Sequence, residues 1–175
     1  YNSGQILVVL VTASSVFPSK NNFVGALLKA HPEITTVVQN INSKHTNLVL
    51  GDINKTIYGD GYIEDSLCGC TFRISPQSFY QVNPRGTEIL YRTAIELANL
   101  RPTDTLLDAY CGIGTIGMSL AEDDTPLVGI EIVPQAIENA KENAARNGMT
   151  NAQFFCGDAS DAGKILSDCG IRADA

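Results

Sequence analysis

Thr105-Leu106-Leu107-Asp108-Ala109-Tyr110-Cys111-Gly112-Ile113-Gly114-Thr115-Ile116-Gly117 is the stretch whose reading decides the fold. Its first four residues have the apolar character of a short buried strand. Three glycines follow at the spacing G-x-G-x-x-G, and a helix is expected from there to about Glu122. Glycines let the backbone approach a ligand closely and present the first N–H groups of the helix. The same rhythm then repeats. A strand over Leu127-Val128-Gly129-Ile130-Glu131 leads to a helix from Pro134 to Asn147, with Ile137, Ala140 and Ala144 inward and Gly148 as its stop. A third strand over 152–156 precedes a helix from about Asp161. Upstream, Pro84 suits the first turn of a helix reaching Asn99, with Leu90, Ala94, Leu97 and Ala98 at helical spacing. Strand–helix alternation means a parallel sheet covered by helices, so the expected class is α/β. Only three such strands are in view, which makes this the N-terminal half of a doubly wound, Rossmann-like domain over residues 76–175.

Residues 1–75 read as a separate small α+β domain. Gln5-Ile6-Leu7-Val8-Val9-Leu10-Val11 is a β-branched strand. Ser19 is placed to cap a helix running to Ala30, with Phe23, Ala26, Leu27 and Ala30 on one face, and His31-Pro32 ends it. Residues 34–41, 48–50, 56–58, 62–63 and 71–74 are further strand candidates. Gly51-Asp52, Gly59-Asp60-Gly61 and Cys68-Gly69 supply the turns. His31 and His45 are lone histidines, read as structural or exposed.

Hydrophobic residues make up 44% of the 175, enough for a packed core and too many for a disordered chain. No apolar run approaches the roughly 20 residues of a membrane span. The chain opens at Tyr1 and closes on Ala173-Asp174-Ala175 in mid-pattern, and a piece of a longer protein is expected. The formal charge is −7. The first 75 residues balance five basic against five acidic side chains, so the excess lies in the second part. An acidic domain repels polyphosphates, which argues against a stand-alone nucleic-acid binder. Five cysteines, Cys68, Cys70, Cys111, Cys156 and Cys169, form no C-x-x-C pair, so no metal or cluster site is expected. Scattered single thiols suit a reducing cytoplasm, where they pack as small apolar residues.

Two ligands compete for the Gly-rich turn. A dinucleotide rests its anionic pyrophosphate on the helix N-terminus. S-adenosyl-L-methionine has no phosphate and brings an ammonium and a sulfonium. Asp108 ends the first strand, four residues before Gly112. A carboxylate there repels pyrophosphate and attracts the cationic amino-acid end. Glu131, at the end of the second strand, can accept both ribose hydroxyls, which both ligands possess. Asp158, after the third strand, can accept the adenine amino group or cap the next helix. One acid after each of three successive strands favours S-adenosyl-L-methionine, bound at the carboxyl ends where doubly wound folds hold ligands. An NAD-dependent oxidoreductase stays open on the glycine pattern and Glu131.

Three stretches resemble the RNA (uracil-5-)-methyltransferase family. Phe72-Arg73-Ile74-Ser75-Pro76-Gln77-Ser78-Phe79-Tyr80-Gln81-Val82-Asn83-Pro84 is similar to its segment leading into the catalytic domain. Residues 107–114 are similar to its cofactor loop, and Val128-Gly129-Ile130-Glu131 with 136–148 to its ribose-binding strand and next helix. The resemblance covers 70–160 well, and the earlier residues are similar to the family's central domain. It implies a class I methyltransferase domain that methylates carbon 5 of a uridine in ribosomal or transfer RNA. It also implies that Gln81 contacts the cofactor from outside the sheet, that Tyr110 lines the pocket with Gly112 and Gly114, and that Glu131 holds the ribose. Thr115 borders the cofactor in relatives with varying identity. The family's chemistry uses a cysteine thiolate that adds to carbon 6 and a base that removes the carbon-5 proton. Both are expected beyond residue 175, Cys111 belongs to the cofactor loop, and these residues alone are expected to be inactive. A non-catalytic, methyltransferase-like RNA-binding protein is the remaining alternative. No oligomeric state is legible.

Overall fold

The computed structural model describes residues 1–44, 47–101, 103–121 and 125–174. His45 and Glu122 lie outside them. The chain divides into two compact units, one made of 1–65 with 74–77 and the other of 66–73 with 78–175.

In the first unit the opening apolar run becomes β1 (Leu7–Thr12), followed by α1 (Lys20–Ala30), β2 (Thr36–Ile41) and β3 (Ile53–Tyr58). β1 and β2 pair in parallel, Leu7 beside Thr36, and β2 and β3 pair antiparallel with a bulge at Val37/Val38. β2 is the central strand, and it is buried almost end to end, polar residues included. Burial of polar groups demands partners. Asn40 supplies the clearest case: its amide exchanges hydrogen bonds with both backbone groups of Gly51 and donates to Asn54 Oδ1 at 2.7 Å. Gly51 has to be glycine, because a Cβ there would lie 2.0 Å from the Ile41 carbonyl oxygen.

Three expectations for this unit are corrected. Ser19 makes no side-chain cap; it takes a left-handed backbone conformation, and its carbonyl accepts from Phe23 N. The face of α1 that is buried centres on Val24, whereas Phe23 and Ala26 are exposed. Residues 48–50 are loop rather than strand, with Leu48 and Val49 exposed and their carbonyls accepting from the Asn42 side chain.

β4 (Ile63–Leu67) and β5 (Cys70–Ile74) form a two-stranded sheet. Cys68 and Gly69 join them with φ of 50° and 83°. Two successive positive φ values are what a tight two-residue hairpin requires. A division at 75/76 therefore differs from the compact units, which assign residues 66–73 to the second. The reason is an amide clamp: Thr71 N and Arg73 N donate to the Asn147 and Asn143 side chains, at 2.8 and 2.7 Å.

The second unit continues with α2 (Pro84–Ala98), β6 (Leu106–Asp108), α3 (Thr115–Leu120), β7 (Leu127–Glu131), α4 (Pro134–Arg146), β8 (Ala152–Cys156), a 3-10 turn (Ala159–Asp161) and α5 (Ala162–Asp168). Its sheet runs β6-β7-β8, all parallel. Asn83 caps α2 by accepting from Gly86 N, and Pro84 fills the first helical position. Thr87 and Tyr91 are the buried residues of α2, whereas Leu90 and Leu97 are exposed, contrary to the face expected from spacing. α4 buries Ile137, Ala140 and Ala144 as expected, together with Asn139 and Asn143. The core of this unit comprises Phe72, Tyr91, Ile113, Met118, Leu127 and Ile130 with those α4 residues.

Candidate methyl-donor site

Parallel register brings the carboxyl ends of the three strands into a stagger. Asp108 is level with Gly129 of β7, and Glu131 is level with Cys156 of β8. Gly157 N donates to the Glu131 carbonyl, so Asp158 lies one residue past that bond. The three acids singled out by sequence thus sit at one edge of one sheet.

The loop between β6 and α3 is organised by two of them. Gly112 and Gly114 take φ of 54° and 86°, a region that glycine enters without steric cost. α3 has no side-chain cap of its own. Asp108 replaces it, with Oδ2 accepting from Gly117 N at 3.1 Å. Glu131 Oε2 accepts from Gly112 N at 3.2 Å and Oε1 from Val133 N at 2.9 Å. Each carboxylate oxygen has further lone pairs, so Glu131 keeps the capacity to accept ribose hydroxyls. Burial lifts the Asp108 carboxyl above its ordinary range; the N–H groups of Gly117 and Tyr110 oppose this, and the charge of Glu131 adds to it.

Asp158 accepts from Ser160 N at 2.8 Å and so caps the 3-10 turn, the plainer of its two expected roles, while remaining exposed. Tyr110 is 82% exposed, so it stands on the open face of the loop rather than in the core. Gln81 is half-buried in the segment between β5 and α2. Thr115 opens α3 with its hydroxyl 3.4 Å from that of Tyr91. A groove of about 280 Å³ is lined by Leu107, Asp108, Ala109, Tyr110, Ile116 and their neighbours. The structure therefore joins Asp108, Gly112 and Glu131 in one hydrogen-bonded loop, brings Asp108 and Tyr110 to one groove, and sets Asp158 on the adjacent strand end.

Cys111 is buried, and that burial, reinforced by Asp108 and Glu131, pushes its thiol up to about 12. Such a thiol is not a nucleophile near neutral pH. Cys156 and Cys169 are exposed rather than packed as small apolar residues. Among the described residues no group of three histidine, cysteine or acidic side chains could hold a metal ion. No helix among them is long and apolar enough to cross a membrane.

A family model described as a methyltransferase domain matches residues 100–171. Almost along its whole length the chain is similar to bacterial proteins. It is 46% identical over 99% of its residues to a protein of Halalkalibacterium halodurans named as an uncharacterized RNA methyltransferase. It is 47% identical over 97% to one of the same description from Oceanobacillus iheyensis. The chain spans 38% and 37% of the lengths of these two relatives. Among solved structures, it is similar to the Pyrococcus abyssi tRNA (uracil-54, C5)-methyltransferase in complex with S-adenosyl-L-homocysteine. There the TM-score is 0.71 at 26% identity, over 87% of this chain and 36% of that one. A tRNA m1G37 methyltransferase of Methanocaldococcus jannaschii, at TM-score 0.52 and 18% identity, shares the fold. The architecture is that of a Rossmann-like, class I methyltransferase domain.

Sequence reasoning missed the asparagines of α4. Asn139 and Asn143, with Asn147 at the C-terminal cap, recur every four residues along the helix that carries Ile137, Ala140 and Ala144. A polar residue repeated at the spacing of an apolar stripe is the signal that could have exposed them.

Proposed function

We propose that this chain is the donor-binding part of an RNA methyltransferase, using S-adenosyl-L-methionine to methylate carbon 5 of a uridine, in ribosomal RNA more than transfer RNA. The observation that carries the reading is the loop in which Asp108 caps α3 and Glu131 holds Gly112, with a third acid, Asp158, on the next strand end. This edge is acidic where a pyrophosphate would need the opposite charge, and it suits an ammonium and a ribose. The methyltransferase-domain match over 100–171 argues against the nicotinamide reading.

Asp108 fixes the loop and adds negative charge beneath the donor's amino-acid end. Glu131 accepts from the ribose hydroxyls, Asp158 accepts from the adenine amino group, and Tyr110 covers the pocket. Gly112 leaves room for the ligand, since a Cβ there would meet nothing within 4 Å, and Gly114 lets the loop close over Met118, whose Cε would lie 2.4 Å from a Cβ. Gln81 reaches the donor from the β5–α2 segment. The donor supplies an electrophilic methyl group on its sulfonium. Choice of uracil carbon 5 rests on the resemblance of residues 72–84 to that family and on the likeness to the Pyrococcus abyssi enzyme. The nucleophilic thiol and the base are assigned to chain outside these 175 residues.

Calorimetry with S-adenosyl-L-homocysteine and with NAD tests the donor site; binding of NAD alone refutes it. Incubation of the protein at its natural length with ribosomal and transfer RNA transcripts, followed by nucleoside mass spectrometry, tests the acceptor. The expected product is 5-methyluridine, most of it in ribosomal RNA. Donor binding without any methyl transfer would favour a non-catalytic RNA-binding role.

A further inference from the structure

The Asn143 side chain is wholly buried in the second unit, on the inward face of α4. Asparagine is a poor choice for that place on helix propensity and on burial alone, where alanine or leucine would do better. Its neighbours explain it. Oδ1 accepts from Arg73 N at 2.7 Å, and Nδ2 donates to the Ile113 carbonyl at 3.1 Å. One neighbour offers a donor and the other an acceptor, so a neutral amide satisfies both. A carboxylate would face a carbonyl oxygen, and an alkyl group would take this partner away from both backbone groups.

One anchored point belongs to the loop assigned above to the donor pocket, and the other to the strand that leads into the Gln81 segment. Ile113 lies between Gly112 and Gly114, the two left-handed residues of the loop. Arg73 lies in β5, which leads into the segment that carries Gln81. The flanking asparagines bond to β5 and the segment after it, and Asn147 also donates to the Asn143 carbonyl at 2.8 Å. Asn147 brackets Thr71, accepting from its N–H and donating to its carbonyl, both at 2.8 Å, and Asn139 donates to Ser78 Oγ at 3.4 Å. The loop's own bonds to Asp108 and Glu131 hold Gly112 and Gly117; the Ile113 carbonyl is held by Asn143.

We infer that Asn143 is a positioning residue for the donor site, a single buried amide that ties the Gly-rich loop to the segment leading to Gln81. This rests on the donor-site reading above. Asn147 is a built-in control, being the same residue type at the C-terminal cap of α4, with side-chain bonds to β5 and to the Asn143 carbonyl.

The test compares N143D and N147D with wild type in the protein at its natural length. Hydrogen exchange of amides 113–117 is read without ligand, affinity for S-adenosyl-L-homocysteine by calorimetry, and Tm for each variant. Loss of one buried hydrogen bond predicts about tenfold faster exchange in the loop and about tenfold weaker binding for N143D. N147D leaves both within about twofold of wild type even where it lowers Tm as much. Where aspartate prevents folding, N143S carries the same comparison. Equal effects of the Asn143 and Asn147 variants on exchange and on affinity overturn the positioning role alone. Wild-type protein that binds no S-adenosyl-L-homocysteine overturns the donor-site reading, and the positioning role with it.

Discussion

Asp108 ends β6 with its carboxyl turned inward, and that orientation has a pH signature. An acid whose pKa is raised on folding holds its proton more tightly in the native state. Stability therefore falls as pH climbs from the ordinary 3.8 through the raised native value, and levels off above it. Asn at this position does not titrate. In melts of ligand-free protein, the Tm of D108N relative to wild type should rise over that window; a constant offset across it refutes the assignment. A bound ammonium favours the ionised carboxylate, so affinity for S-adenosyl-L-homocysteine should grow with pH over the same window and lose that dependence in D108N. Cys111 gives a second residue-scale test. With its thiol raised to about 12, brief alkylation of native protein near pH 8 should modify Cys156 and Cys169 and spare Cys111. Mass spectrometry of the peptides decides this, and rapid modification of Cys111 would contradict its burial. The positions of the three acids were legible in sequence, because strand ends can be counted. The direction of each carboxyl was not, because it depends on which backbone N–H the fold brings near, such as Gly117 for Asp108.

At the scale of elements, Gly129 of β7 is crowded by Phe154 of β8 and by Cys111. A Cβ there would lie 2.5 Å from Phe154 Cδ1 and 2.9 Å from Cys111 Sγ. G129A should therefore cost about 1–3 kcal/mol in urea unfolding, the usual scale of overpacking. α2 supplies a contrast between faces. Y91A removes a buried aromatic side chain and should cost about 3–5 kcal/mol. L97Q changes an 80% exposed residue and should stay within about 0.5 kcal/mol. Reversal of that order would mean that the expected face, not the observed one, is inward. The sequence of strands and helices in the second unit was readable from periodicity, with boundaries within a few residues. Which stripe of α2 turns inward was not. The helix carries Ile89, Leu90 and Leu97 on one side and Thr87 with Tyr91 on another, and periodicity does not rank two stripes. The Asn139–Asn143–Asn147 row was not legible for a related reason: apolar periodicity is silent on polar residues that turn inward as partners for backbone groups.

At the scale of the molecule, the two units interleave in sequence, since 66–73 belong with the second unit and 74–77 with the first. Saturating S-adenosyl-L-homocysteine stabilises whatever binds it, by about 2.7 kcal/mol at a hundredfold excess over Kd. The unfolding transition of the second unit is expected to move up on adding that ligand, measured by calorimetric scan; no shift at saturation would deny it a donor site. The sheet of this unit holds a last consequence. Among the described residues β6 pairs with β7 on one side, and on the other its start meets only Asp174, whose N–H donates to the Thr105 carbonyl at 3.0 Å. The peptide groups farther along that side, beside the groove walled by Leu107 and Ile116, can template strand addition in trans. Residues 1–175 taken alone are thus expected to self-associate as concentration rises, with sedimentation velocity showing growing oligomers. Colloidal behaviour, not catalysis, is where the uncovered flank of this sheet would first make itself felt.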